Sequence, residues 1–269
     1  DRGAKGAIVE SVIQTQVDQI GDSAMLEKLE AELHQVLVDV SLSVSDWKSI
    51  LSKLTDVSEA LRKDAPKKVS DATAEVCEFL EWLSQNHFTF LGYREYRIGE
   101  GRKMGSDVVE GSGLGLMRDP DYTILRDAAG NFVHWSPEMD AFITDDSPLL
   151  ILKANRRSTV HRTAHFDLIG VKHYDSKGRA IGEHAFIGHF TSSAYNRSPR
   201  SIPLLRQKIE RIISQAGFSP TSHDGKALTN VLETYPRDEL FQSSDDQLFH
   251  NAVGVLHLAT RPRTRLFVR

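Results

Sequence analysis

Cysteine is nearly absent. One residue, Cys77, stands in a chain of 269, which excludes an intrachain disulfide framework and suits a reducing compartment, so a cytoplasmic location is expected. No run approaches the ~20 apolar residues of a membrane span, and no signal peptide is legible. The nucleophile elbow G-x-S-x-G is missing, as is any Cys–His nucleophile pattern. The nearest thing to a dinucleotide loop, "GSGLGLMRD" at 111–119, spells G-x-G-x-G without a βαβ setting and reads as a loop leading into a strand. Strong charge of one sign is missing too: the net charge is −4, which argues against nucleic acid or an anionic membrane as partner. What is present is ordinary for a globular protein, with 40% apolar and 26% charged residues.

Residues 7–20 alternate apolar and polar and are expected as a strand, although Val9, Val12, Ile13 and Val17 also fit a helical stripe. From Asp22 the spacing turns helical, with Asp22 or Ser23 as cap and a stripe from Met25 to Val40. A second helix from Ser45 carries Trp47, Ile50, Leu51, Leu54, Val57 and Leu61, and Pro66 ends it. A third begins near Asp71. At "HFTFLGYREYRI", 87–98, aromatic and β-branched residues take over, and further strands are expected at 114–118, 132–135, 149–155 and 158–162. Two β-rich runs flank "DSKG" at 175–178 as a hairpin. A helix over about 200–217 follows, with Pro203 in its first turn and Gly217 at its C-cap, then helices at 224–235 and beyond, and finally "RTRLFVR" as a new strand. The fold class is α+β, with a central antiparallel sheet of five or six strands flanked by helical segments. Because the chain opens on Asp and ends within a β-rich run, it is expected to be an internal segment of a longer polypeptide.

Chemistry is sparse. Of the eleven histidines, His161 and His165 would share a strand face while His184 and His189 point opposite ways, so no metal set converges, and most are expected as exposed strand residues. Positive charge gathers at Lys153, Arg156, Arg157 and Arg162, and again at Arg197, Arg200 and Arg206. Arginine forks suit carboxylate or phosphate, and the second group precedes a helix N-terminus, so an anion or effector contact and a domain interface both stay open. Candidate contacts are Arg156, Arg157, Tyr195, Asn196 and Arg197. The polar stretch "SSAYNRSPR", 192–200, reads as a strand-to-helix junction, with Ser198 or Ser201 capping and Tyr195 and Asn196 tying the loop to the sheet.

Four phrases, "FLEWLSQNHFTFLGYREY" (79–96), "KANRRSTVHR" (153–162), "FIGHFTSSAYNRSPRSIPLLRQKI" (186–209) and "SHDGKALTNVLETYPRDELFQ" (222–242), together resemble the N-terminal region of the large bacterial NAD-specific glutamate dehydrogenases. The resemblance implies a regulatory region of ACT-like modules and a PAS-like module joined by helices. On this chain 1–20 would end an upstream ACT-like module, 21–86 would be a helical linker and 87–200 the PAS-like sheet. Residues 201–260 would be a second helical segment and 261–269 the start of the next ACT-like module. It further implies that the catalytic residues and the NAD fold lie elsewhere in the parent, leaving this segment without catalytic, cofactor or metal residues. Its expected partners are other domains of the same chain and further copies in a homo-oligomer, with an amino-acid effector as an option. The alternative is a sensor module for an amino acid or anionic metabolite; bulky Phe88, Phe90, Phe186, Ile187 and Phe190 argue against a roomy pocket in it.

Overall fold

The computed structural model describes residues 12–98 and 106–260. Two compact units divide the chain, Asp1–Val38 and Asp39–Arg269. Residues 12–20, expected as a strand, have no regular structure and lie mostly exposed, while the remainder of that stretch and "RTRLFVR" fall outside the described residues. Among the described residues no strand pairs with this stretch, so its alternating pattern has no partner there to take up its amide groups.

Helix α1 is one uninterrupted element, Ser23–Asp64, where two were expected. Asp22 caps it by accepting from the Ala24 amide at 2.9 Å. It runs unbroken through the serine-rich stretch, where Ser43 donates back to the Asp39 carbonyl (2.9 Å) and Ser45 to that of Leu42 (3.1 Å), so these hydroxyls are satisfied within the helix. Helix α2, Ser70–Trp82, follows the Pro66 turn, and a wide turn at Leu83–His87, with Asn86 left-handed at φ 65°, hands over to the sheet.

The sheet holds β1 (Phe88–Ile98), β2 (Ser106–Val108), β3 (Leu114–Gly115), β6 (Leu149–Arg157), β7 (His165–Tyr174) and β8 (Ala180–Phe190). Its order is β2-β1-β8-β7-β6 with β3 also on β1, and every pairing is antiparallel. Between β3 and β6 lies an insertion with the ribbon β4 (Leu125–Arg126) and β5 (Phe132–Val133) and the short helix α3, Pro137–Thr144. The expected strand at 158–162 is a bent loop instead. Ser158 Oγ bonds both the amide and the carbonyl of Val160, which turns the chain, and His161 takes φ 70°. Close approach of β1 to β8 demands Gly188, since a Cβ there would stand 2.0 Å from the Thr89 carbonyl oxygen.

After β8 come α4 (Ser192–Asn196), α5 (Leu205–Ala216), α6 (His223–Thr234), α7 (Arg237–Gln242) and α8 (Asp245–Thr260). Helix α5 starts later than expected, beyond Pro203, because Leu204 sits at φ 71° with its amide held by Glu75 of α2 at 2.7 Å. Its end falls as expected at Gly217, left-handed at φ 66°.

The two sheet faces carry two cores. On one, Phe88, Phe90, Tyr93, Phe186 and Phe190 meet Ile50, Leu54, Phe79, Ile209, Leu232 and Leu248 of the helices. On the other, Leu91, Tyr96, Phe166, Leu168 and Ile187 meet Leu116, Met117, Ile124 and Met139 of the insertion. Period-two alternation with apolar residues on both sides is what a sheet covered on both faces requires.

Candidate functional site

The polar junction between β8 and α5 is a closed clamp. Lys153 of β6 and Asp167 of β7 are direct cross-strand partners. The ammonium of Lys153 lies 2.5 Å from Asp167 and 3.0 Å from Asp238 of α7. Tyr195 of α4 donates its hydroxyl to Asp238 at 2.7 Å, so α4 is bonded to α7 and, through Lys153, to the sheet. Arg162 stands over the Tyr195 ring, 6.0 Å from its centre. Next to Asp238 on α7, Arg237 donates to the carbonyls of Arg197 (2.9 Å), Glu233 (3.0 Å) and Tyr235 (3.1 Å).

Electrostatics explain why the clamp is tight. Asp167 is fully buried, and burial raises its carboxyl above the ordinary range although Lys153 pulls it back. Burial alone would lower the Lys153 ammonium, but its bonds to Asp167 and Asp238 outweigh that and hold it charged. The Tyr195 hydroxyl is raised by burial and by its bond to Asp238, which keeps it a donor. These groups point inward at one another, an arrangement suited to holding elements together.

Of the five sequence candidates, the structure engages Arg156 and Tyr195 with different partners. Arg156 stacks on Tyr122 (4.5 Å) and Phe132 (4.8 Å) of the insertion. Tyr195 belongs to the helical side. Arg157 ends β6 opposite His165 and is exposed. Asn196 and Arg197 are exposed; Arg197 offers its carbonyl to Arg237. Tyr195 thus ties the loop to α7 rather than directly to the sheet, and Ser198 caps a 3-10 turn at Pro199–Ser201, not α5. Sequence reasoning missed Asp167 and Asp238. The signal for Asp167 was a carboxylate at an inward position of the apolar run "FDLIGV"; Asp238 carried none, lying on an amphipathic helix among other acids.

Several histidines expected on the surface are buried. His184 sits on the helical face against Tyr93, whose hydroxyl is 2.8 Å from Nδ1, and stacks on His173. His173 Nδ1 lies 3.3 Å from Glu95, an ion-pair distance without a well-aligned hydrogen bond. Burial, helped by His173, drops His184 to about 4. His189 faces the other way, as strand alternation requires, and stacks on Phe166 at 5.6 Å; burial, then Arg162 and Lys153, drop it to about 4. Ile187 likewise faces the insertion, so the bulky residues expected to fill one cavity divide between two cores.

Glu183 is fully buried opposite Tyr96 and Lys172, and burial pushes its carboxyl up to about 8. Lys172, its cross-strand neighbour, instead carries its ammonium to the Asp145 carbonyl. A carboxyl raised in the folded state from an ordinary 4.5 binds its proton more tightly folded than unfolded. Its stabilising contribution is complete below the ordinary value and is lost as pH rises through the window up to about 8. Glu183→Gln is therefore expected to flatten stability against pH in that window by up to about 1.4 kcal/mol per pH unit. Denaturant melts of both forms across the window check this, and parallel pH profiles would contradict it.

Among the described residues no helix is long and apolar enough to cross a membrane, and no group of three His, Cys, Asp or Glu converges as a metal set.

Comparison with known proteins adds similarities. Residues 202–261, from the end of the junction through α8, match the family model "Glutamate dehydrogenase, helical motif 1". Over 265 residues, 97% of the chain, it is 39% identical to an NAD-specific glutamate dehydrogenase of Halomonas elongata. Identity to the enzyme of that name from Pseudomonas aeruginosa is 35% over the whole chain, and to that from Mycobacterium tuberculosis 29% over 92% of it. The matches cover only 16%, 16% and 14% of those relatives, so the chain spans about one sixth of their length.

Proposed function

This chain is homologous over nearly its whole length to one segment of the large NAD-specific glutamate dehydrogenases, and from that premise we propose that it serves such an enzyme as a non-catalytic regulatory and assembly segment. The parent reaction would be transfer of a hydride from L-glutamate to NAD⁺, with water taken up, to yield 2-oxoglutarate, ammonium and NADH. In this reading the sheet is a PAS-like module in the N-terminal region of the parent, flanked by helical connectors, and NAD binds elsewhere in the parent. The observation that carries the reading is the Lys153–Asp167–Asp238–Tyr195 clamp. It consumes charged groups to fix the trailing helices on the sheet, a use of polar groups that suits transmitting position between domains rather than reacting with substrate.

Less favourable to the sensor alternative, Arg156 lies over Tyr122 and Phe132 and Tyr195 donates to Asp238, so two of its candidate contacts have partners within the chain. The test is direct. The purified chain, supplied with L-glutamate and NAD⁺, is expected to form no NADH above background at 340 nm; protein-dependent turnover would overturn the non-catalytic reading.

A further inference from the structure

Within the unit Asp39–Arg269, a pocket of about 590 Å³ lies between α1 and the first half of β1, a volume suited to a small molecule. Val40, Val44, Trp47 and Leu51 of α1 form one wall and Phe88 and Phe90 of β1 the other. Thr89 and Leu91, from the opposite sheet face, line it as well, which places the pocket at the edge of the strand. Asn86, His161 and Thr191 supply polar groups, and no Asp, Glu, Lys or Arg lines it.

The strand edge adds main-chain groups. The His87 carbonyl accepts from the Thr191 amide (3.0 Å) and so faces β8. Phe190 lies opposite Phe88, yet its amide turns the other way, to Asp167 of β7 at 3.4 Å. Phe88 and Phe190 are therefore an outward-turned pair of the antiparallel ladder, and alternation turns the Phe90 N–H outward too. The Phe88 N–H and C=O and the Phe90 N–H thus point away from β8, toward the pocket. On that side the described strand pairing begins only at Gly92, opposite Gly115 of β3. Phe88 is buried, and buried main-chain donors and acceptors require partners.

Length and charge narrow the occupant. The turn at Leu83–His87 closes one end of the edge and β3 the other. The interval of three residues spans about 10 Å, short for an added strand and the length of two fused rings. A charged ligand would lose its water here and meet no opposite charge from Lys, Arg, Asp or Glu. The lining also holds two of the three left-handed non-glycine residues among those described, Asn86 at φ 65° and His161 at φ 70°. Backbone held in that region is a recurrent property of ligand clamps.

We propose that this pocket binds an uncharged, planar two-ring molecule, its rings between the α1 wall and Phe90 and an amide-like edge paired with the Phe88 main chain. The proposal goes beyond the assembly reading above and does not rest on it. It also names a different site and a different ligand chemistry from the arginine contacts of the sensor alternative.

Calorimetric titration of the purified chain with indole-3-carboxamide, a planar two-ring amide, tests it. One molecule is expected to bind per chain, with a Kd of about 1 mM or tighter. Indole-3-carboxylate has the same rings but a charge that finds no Lys or Arg in the pocket, and is expected to bind at least about tenfold more weakly. Val44→Arg, at an exposed helix position, is expected to weaken carboxamide binding at least about tenfold by filling the pocket, with the circular dichroism spectrum unchanged. In nuclear magnetic resonance spectra the Phe88 and Phe90 amide signals are expected to shift on titration. No binding of the carboxamide, equal affinity for the two compounds, indifference to Val44→Arg, or tighter binding of acetyl-tetravaline amide would overturn the proposal. A chain that binds neither compound and forms no NADH would remove the ligand and leave the proposed function standing.

Discussion

Arg94→Met is expected to destabilise the chain by about 3–5 kcal/mol. Arg94 is 1% exposed, on the insertion face of β1. Its guanidinium donates to the carbonyls of Met117 (2.8 Å), Asp119 (2.5 Å) and Tyr122 (3.1 Å) and lies 3.2 Å from His134 Nδ1. One side chain thus satisfies three backbone acceptors of an insertion whose own strands are two residues long. Methionine keeps the stem's packing but strands those carbonyls, each costing about 1–3 kcal/mol if left unpaired. Lysine keeps the charge but lacks the fork that reaches diverging acceptors, so Arg94→Lys is expected to recover less than half of the loss. Denaturant unfolding gives the magnitude, and hydrogen exchange should show protection falling first over 116–135. A loss below about 1 kcal/mol, at the level of an ordinary surface change, would contradict the anchoring role.

The second large effect belongs to the clamp. Lys153→Met leaves the fully buried Asp167 carboxylate without its cation, and breaking such a pair from one side typically costs about 3–5 kcal/mol. Removing both charges in Lys153→Met/Asp167→Leu is expected to recover most of that, because no uncompensated charge stays buried. The non-additivity is the diagnostic: the double variant should be more stable than Lys153→Met alone. Equal or lower stability of the double variant would mean that the pair contributes net attraction beyond its desolvation cost. Half-exposed Asp238 sets the lower bound, and Asp238→Asn is expected to cost about 1 kcal/mol or less.

Much of this architecture is legible in the sequence, and the exceptions have physical causes. The strands at 88–98, 149–157, 165–174 and 180–190 are readable from aromatic and β-branched alternation, and the DSKG turn from Asp175, whose carboxylate accepts from the Lys177 and Arg179 amides. Gly217 marks the end of α5 because a left-handed cap favours glycine. The continuity of α1 is not readable, since serines that donate to their own helix look the same as serines that break one. Nor is the start of α5, set by Glu75 129 positions away. The junction was recognisable as polar, but its role depended on Asp238, 43 residues beyond Tyr195, and on Asp167 across the sheet. Burial of His184 and His189 escaped detection because a strand covered on both faces hides polar and apolar residues alike.

That arrangement puts the polar residues of "SSAYNRSPR" to work as fasteners. Ser198 turns the chain, Tyr195 reaches α7, and the Arg197 carbonyl receives Arg237. The proposed role of the segment is then positional. Its most direct test is the proposed parent enzyme carrying Tyr195→Phe with Asp238→Asn, assayed for glutamate-dependent NADH formation alongside its oligomeric state. The account predicts altered assembly or effector response with the turnover of the assembled fraction retained; turnover abolished in an enzyme that assembles normally would contradict it.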